Sequence, residues 1–547
     1  VTTLAGALRR PVPARLPLGL ARPRASTLAV ATIVLIVVVS HGYHMLRYPY
    51  LDHDEGTYFS QAWAVFHLGR LSPYTYFYDH APLGWIQLGL WQELTGNYSF
   101  GYALASGRLF MLLAQLGSAL LVFAIARRST GKIWPGLLAA SIFSLSAYGI
   151  TYHRRILLDN IATFWLLLSV YMLVGRVTTL RRVCLSALAL ALAVLSKEVA
   201  LAALPALTVL MYRGVPRPSR PFALAGWFGL SIGLCSIYVL LALLKGELLP
   251  ASSGGHPHVS LICSIEWQAS RGSSAGLFDG SSAFWQAAGS WAHAEPLLVF
   301  GGTAAALVSV IALRRDRVAS MIGWLVLSLW LFLARGGVVL VFYLLPLLPL
   351  LALSLVLVLH AGVQRARAFV PPKLGRPAAG AAAVAVVAVC GLLLLVGYQR
   401  SPGLWTRDPV RGQVQAVSWI RTHLPSYSRM VIDEYMWSDL HEPPLGYPRY
   451  RDAQYYWNAG EDPQVQHQGF HDDWRYVEYV VATPQLLSDT ATNGFPIVAP
   501  ALEHSLPVAR FDSGWDVEIR RVYPDAPAQF SLPRAVPKAL PGCMRTV

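Results

Sequence analysis

Acidic side chains are scarce through most of this chain. The first 400 of its 547 residues hold twelve Asp and Glu against thirty-one Lys and Arg. Charged residues make up 13% of the whole, about half the share usual in a soluble domain, which excludes a water-soluble globule. Cysteine is also scarce. The five present, Cys184, Cys235, Cys263, Cys390 and Cys543, show no metal-ligand spacing. Three lie in apolar runs, where Cys behaves as a small hydrophobe, and a Cys263–Cys543 disulfide is open but disfavoured. The net charge of +15 does not signal nucleic acid, because the basic residues form short clusters between apolar runs, as in cytoplasmic loops. What abounds is apolar surface. It amounts to 55% of the residues, with runs of roughly 17–25 residues recurring from Thr27 to Val396, each long enough to cross a bilayer.

Keeping arginine clusters on the inner side sets a path through the membrane. Arg9, Arg10, Arg15, Arg22 and Arg24 precede the first run, which has no small-residue cleavage site after it and reads as a retained anchor. Val1 fits a literally translated GTG start, a pointer to a bacterial gene. The span near 27–45 then delivers the segment 46–102 outside. Within it, "APLGWIQLGLWQELTG" (81–96) is short, polar on one side and rich in Trp, which predicts a helix lying flat at the interface. Alternation of the remaining runs gives about eleven transmembrane helices, a long outer loop at 245–295, and an outer C-terminal part. On this path every acid before residue 400 except Asp316 faces outward. No internal repeat points to a transporter with inverted halves.

The last 147 residues differ, with seventeen Asp and Glu against thirteen Lys and Arg and no spanning run. "VRGQVQAVSWIRTHLP" has helical spacing and stops at Pro425. "RMVIDE" and "YVEYVVATP" read as buried strands, and "VARFDSGWDVEIRRVY" as a hairpin turning at Asp512-Ser513-Gly514. The expected organisation is a cytoplasmic tail 1–26, an all-α polytopic membrane domain 27–400 with juxtamembrane helices, an extracytoplasmic α/β domain 401–523, and a Pro-rich disordered tail 524–547.

The scarce acids concentrate in "LDHDEGTYFSQ", where Asp52, Asp54 and Glu55 fall within four positions just past the first span. Nearby outer segments add Asp79 and His80 in "YDHAPLGWIQ", Arg155 and Asp159 in "HRRILLDN", and Lys197 and Glu198 in "SKE". Charges beside hydrocarbon are costly and mark function by default, although an Arg155–Asp159 ion pair four apart or a snorkelling Lys197 would be structural. Such a set suits glycosyl transfer from a lipid phosphate. Cations neutralise the departing phosphate, and Asp54 or Glu55 accepts the proton of an attacking hydroxyl. One base with no covalent intermediate means inversion.

The order "DHDEGTYFSQA", "YDHAPLGWIQLGL", "ASGRLFMLLAQL", "HRRILLDNIATFWLLL", "LSKEVALAALPAL" and "FYLLPLLPLLAL" resembles the GT-C glycosyltransferases. It is most similar to the bacterial branch of the protein O-mannosyltransferase and lipid A aminoarabinose transferase superfamily, over about 48–359. The tail "QAVSWIRTHLP…MVIDEYMWSDLH…HDDWRYVEYVVATPQLLSD" resembles actinobacterial members. The resemblance implies Asp54 as catalytic base with Glu55 beside it. It implies Arg108, Arg155 and Lys197 at the donor phosphate, and Asp79, His80, Asp159 and Glu198 around the substrates, with Trp85 among them. Two departures stand out. "HAPLGW" lacks the second proline and the lysine of the eukaryotic "HPPLGK", and Phe342 precedes "YLLP" where relatives carry Arg or His, leaving Arg335 as the nearest outer base.

Asp52-His53-Asp54 also spells D-x-D, a metal-binding pattern in soluble nucleotide-sugar transferases. A monophosphate donor needs no such metal, so no cofactor is expected to be required; Mg or Mn, if any, would sit on Asp52 and Asp54. In the loop 245–295, His256 and His258 read as loop polars, and Glu266, Trp267 and "FWQAAGSW" could cap the donor or stack on a sugar. In the C-terminal part, Asp433, Glu434, Trp437, Asp439, His441, His471, Asp472, Asp473 and Trp474 fit either carbohydrate binding or an acidic soluble surface. The leading expectation is an inverting glycosyltransferase of the bacterial plasma membrane, with its N-terminus cytoplasmic. It would take a polyprenyl-phosphate sugar and a hydroxyl acceptor on protein, glycan or lipid, among membrane lipids and without nucleic acid. The alternatives are a flippase or transporter of a lipid-linked sugar, which would place ionisable groups at the midplane, and a receptor or scaffold.

Overall fold

A computed structural model describes residues 25–175, 177–250, 260–270, 276–369, 381, 384, 388, 390–392, 394–529 and 531–532. The tail 1–24, His256, His258, Cys543 and about half of the last expected span lie outside the described residues, as do residues 530 and 533–547 of the Pro-rich tail. Cys263 is disulfide-bonded, against the disfavoured reading of that cysteine, while Cys184, Cys235 and Cys390 are free.

The chain begins with helix α1 (Ala25–Val37), extended by one wide turn to Gly42. Then follow α2 (His53–His67), α3 (Leu83–Thr95), α4 (Leu104–Thr130), α5 (Ile133–Ser144), α6 (Ala147–His153), α7 (Leu158–Leu173) and α8 (Leu180–Ser196). Among the described residues, four helices are long and apolar enough to cross a membrane: Ala25–Gly42, Leu104–Thr130, Arg217–Leu244 and Val341–Ala366. Two bent pairs raise this to six, α5 with α6 at 67° and Ala283–Ala294 with Leu297–Ile311 at 109°. Runs read from sequence as single spans are thus broken or short, as in Leu158–Leu173 and Arg317–Leu333. Apolar length alone overcounts straight helices, because a Ser or Pro inside a run can start a new one. Ser146 does so here, its hydroxyl accepting the Gly149 N–H as the N-cap of α6.

The segment 46–102 is not a loop. Its two helices pack on each other, α3 where the interfacial helix is expected and α2 where only loop acids were expected. Asp52 starts α2 with a capping box: its side chain accepts the Asp54 N–H while the Glu55 carboxylate takes the Asp52 N–H. The carboxylates therefore stand on the first turn of a helix, fixed in direction.

The C-terminal part is a five-stranded mixed sheet in the order β2-β1-β3-β5-β4. The strands are β1 Met430–Ile432, β2 Ala453–Tyr455, β3 Tyr479–Ala482, β4 Ser505–Asp512 and β5 Asp516–Val522. β1 runs parallel to β2 and β3, and β5 antiparallel to β3 and β4. The expected helix is Pro409–His423, and the hairpin turns where Gly514 takes φ 94° and donates to Asp512 Oδ1. Strand β2 carries too little alternation to be read from sequence.

One continuous core joins this sheet to the first outer segment. Tyr58, Phe59 and Ala62 of α2 share it with Ile432, Tyr435, Trp437 and Tyr455. Gly56 makes the approach feasible, since a Cβ there would overlap the backbone of Glu434 and Tyr435. Gln413 locks the join by exchanging two hydrogen bonds with the Leu51 backbone, at 2.7 and 2.8 Å.

Candidate functional site

Two buried arginines hold the chain that leads into α2. Arg154 donates to the carbonyls of Ser40, His41, Tyr43 and Leu404. Arg108 donates to those of Met45, Pro49 and Tyr50, and grips both oxygens of Glu55 at 2.9 and 2.7 Å. Arg108 and Glu55 are wholly buried, and Glu55 Oε1 also accepts the Ile156 N–H. A fork so fully occupied has no donor left for a ligand. This corrects two expectations: Glu55 is sealed from any acceptor hydroxyl, and Arg108 from any phosphate.

Asp52 is drawn the same way. It pairs with Arg155 at 2.6 Å, and the guanidinium lies over the rings of Tyr50 and Tyr152. Burial opposes its ionisation, but Arg155 and His53 hold the Asp52 carboxyl below its usual value. Arg155 therefore does not pair with Asp159. It precedes α7 rather than sharing its face, so the four-residue spacing does not apply. Asp159 instead faces Lys197 at 3.5 Å. Trp85, expected among the substrates, is a core residue against Tyr76.

Asp54 has the opposite setting. It lines a cavity of about 270 Å³ together with His53, Asp79, His80, Lys197 and Glu434. Its side chain is 21% exposed, and the His53 imidazole lies between Asp54 at 3.6 Å and Asp52 at 3.2 Å. Burial raises the Asp54 carboxyl above the ordinary range, against the pull of His53. Burial disfavours the imidazolium, yet Asp54, Asp52, Glu434 and Asp433 together raise His53 to about 10. His53 is thus a cation at neutral pH, set among carboxylates.

The other cations gather at the Lys197 end. Lys197 lies 3.1 Å from His80 Nε2, and His80 Nδ1 lies 3.1 Å from Glu198. An ammonium only donates, so Nε2 accepts and Nδ1 carries the proton that goes to Glu198. Glu198 also takes the Ala81 N–H and stays outside the cavity lining, a holder of His80 rather than a substrate contact. The ammonium stands 5.8 Å from the Phe342 ring centre, where relatives carry their own base, and 5.7 Å from that of Tyr343. Lys197 therefore supplies positive charge at the place where "FYLLP" lacks it.

The opposite wall belongs to the C-terminal sheet: Glu434 after β1, Tyr455 at the end of β2, then Trp457, Asn458 and Glu461. Sequence reading flagged Glu434 but not the last four, because no motif says which segment docks some 400 residues away. Trp267 lines the cavity as a capping residue would. Asp433, Trp437 and Asp439 are buried, whereas His471, Asp472 and Asp473 lie at the surface or half-buried.

Asp52, His53 and Asp54 form the one His/Cys/Asp/Glu trio among the described residues whose ligand atoms lie within 4.8 Å of each other. Asp52 is already paired with Arg155, so a divalent ion held by this trio would compete with that ion pair and displace any proton on His53.

A family model described as dolichyl-phosphate-mannose-protein mannosyltransferase matches residues 83–245. The crystal structure of ArnT from Cupriavidus metallidurans bound to undecaprenyl phosphate is similar with a TM-score of 0.54 at 16% identity, covering 92% of this chain and 99% of that one. The archaeal oligosaccharyltransferase AglB from Archaeoglobus fulgidus, in complex with an inhibitory peptide and a dolichol-phosphate, gives 0.52 at 12%, covering 92% and 75%. No curated protein matches the sequence significantly. The chain thus shares the GT-C fold of these structures, has helices long and apolar enough to cross a membrane, and over residues 83–245 is similar to the dolichyl-phosphate-mannose-protein mannosyltransferase family.

Proposed function

We propose that the protein is an inverting glycosyltransferase that moves a sugar from a polyprenyl-phosphate donor to a hydroxyl acceptor on the outer face of a bacterial plasma membrane. The observation that carries this reading is the cavity, which brings the Asp54 carboxylate, with Asp79 and Glu434, together with the Lys197–His80 pair. The donor phosphate sits at Lys197, with His80 beside it, and the lipid runs into the bilayer. The acceptor hydroxyl attacks the anomeric carbon from the far side. Its oxygen forms the new glycosidic bond, the bond to the phosphate oxygen breaks with its electron pair, and Asp54 takes the hydroxyl proton. Lys197 balances the charge that develops on the leaving phosphate. Glu55, Arg108, Asp52 and Arg155 hold the turn that aims Asp54. No divalent metal is needed, because Lys197 performs that neutralisation.

A flippase is disfavoured, since the ionisable groups gather in one pocket at the ends of helices rather than along a path. The test is purified full-length protein in detergent with undecaprenyl phosphate carrying mannose, glucose or arabinose. Release of undecaprenyl phosphate, with the anomer of the product inverted by NMR, supports the reading. Translocation across vesicles without release, or retention of configuration, contradicts it.

A further inference from the structure

The cavity has two chemically distinct ends. At one stand Lys197 and His80 with the rings of Phe342 and Tyr343; at the other stands the wall contributed by the C-terminal sheet. Asp54 lines the same cavity, where the charges of His53 and Lys197 act on it, and His53 is in turn acted on by Glu434. A single displacement puts leaving group and nucleophile on opposite faces of the anomeric carbon. With the phosphate at Lys197, the acceptor must enter along the C-terminal wall.

That wall is built for hydroxyl groups. Glu434 is 1% exposed and lines the cavity, yet neither of its carboxylate oxygens has a hydrogen-bond partner among the described residues. Burying such a group unpaired is costly, and no protein donor offsets it. Asn458 donates through Nδ2 to Asp462, which fixes its amide plane at the cavity. Tyr455 is pinned by the Ser60 hydroxyl, so its ring is a rigid part of a lining that Trp457 shares. Rigid aromatic faces with a few convergent polar groups suit a ring-shaped, hydroxyl-rich ligand. The edge strand beside the cavity, β2, is three residues long, so it offers an extended peptide little sheet edge to pair with.

We propose that the acceptor is a carbohydrate, seated on the C-terminal wall with Glu434 and Asn458 as positioning and specificity-determining residues for its hydroxyls. This rests on the reading of the cavity as a sugar-transfer site. Burial and Asp433 raise the Glu434 carboxyl well above its ordinary value, so it can donate as well as accept.

The test uses the full chain in detergent and measures equilibrium binding of three probes. These are oligosaccharides of mannose, glucose, galactose and arabinose, peptides rich in Ser and Thr, and undecaprenyl phosphate. The expected result is binding of at least one saccharide and of none of the peptides. Glu434→Gln and the half-buried Asn458→Ala should each weaken the saccharide at least tenfold and leave undecaprenyl phosphate within twofold. In transfer assays the same variants should raise the acceptor KM more than they lower kcat. Peptide binding without saccharide binding, or unchanged saccharide affinity in both variants, overturns the proposal. Failure of wild type to bind undecaprenyl phosphate counts against the donor reading instead, and the saccharide arm is still read on its own.

Discussion

Asp54 and Glu55 are neighbours on one helical turn and have opposite fates. Glu55 points inward, gripped at both oxygens by a wholly buried Arg108. Asp54 points into the cavity, partly exposed, with His53 3.6 Å from its carboxylate. Successive side chains on a helix diverge by about 100°, so one residue of separation suffices to split structure from chemistry. The difference teaches that a cluster of acids need not be a cluster of catalysts. Here Asp52 and Glu55 hold the turn, and the intervening His53 tunes the third acid, Asp54.

Breaking the sealed side should give the largest effect. Arg108→Ala leaves Glu55 buried and uncompensated, at a cost of about 3–5 kcal/mol. Thermal unfolding in detergent should show a large drop, while the folded fraction keeps its affinity for undecaprenyl phosphate; a loss of lipid affinity without a loss of stability would return Arg108 to the phosphate site. On the open side, Lys197→Ala should weaken undecaprenyl phosphate by about 10- to 100-fold, the worth of a hydrogen bond to a charged group, with lipid titration as the readout.

The pH profile sharpens the contrast further. Only the ionised Asp54 can accept a proton, so kcat/KM should rise with pH through a value above the ordinary carboxylate range, because burial raises this group. It should fall again near pH 10 as His53 loses its proton. The same group gives a stability signature: the His53 proton stabilises the fold in full below about 6.5, and that contribution is lost as pH rises through about 10. The smallest expected effect is that of a chelator. EDTA should leave turnover unchanged, and a loss restored by Mg or Mn would reassign Asp52 and Asp54 as ligands.

Much of this was legible in the sequence. The helix at 83–95, the Pro409–His423 helix and the β4–β5 hairpin follow from local spacing and turn chemistry, whereas the capping role of Asp52 was missed. Asp79, His80 and Lys197, singled out because charge beside an apolar run is expensive, line the cavity. What stayed hidden depends on contacts distant in sequence. Nothing local says that Arg155 turns to Asp52 and Asp159 to Lys197, or that Glu434 closes the cavity over α2. Gly56 was the available hint, a residue without a side chain where another backbone passes. Helix geometry within the apolar runs was hidden as well: an apolar run reports hydrocarbon contact, not whether the helix inside it is straight.

The most direct measurement compares Asp54→Asn with wild type at equal amounts of folded protein, reading both release of undecaprenyl phosphate and lipid affinity. The account predicts a fall in kcat on the order of 10²–10⁴ with lipid affinity preserved. Wild-type turnover in this variant would contradict it.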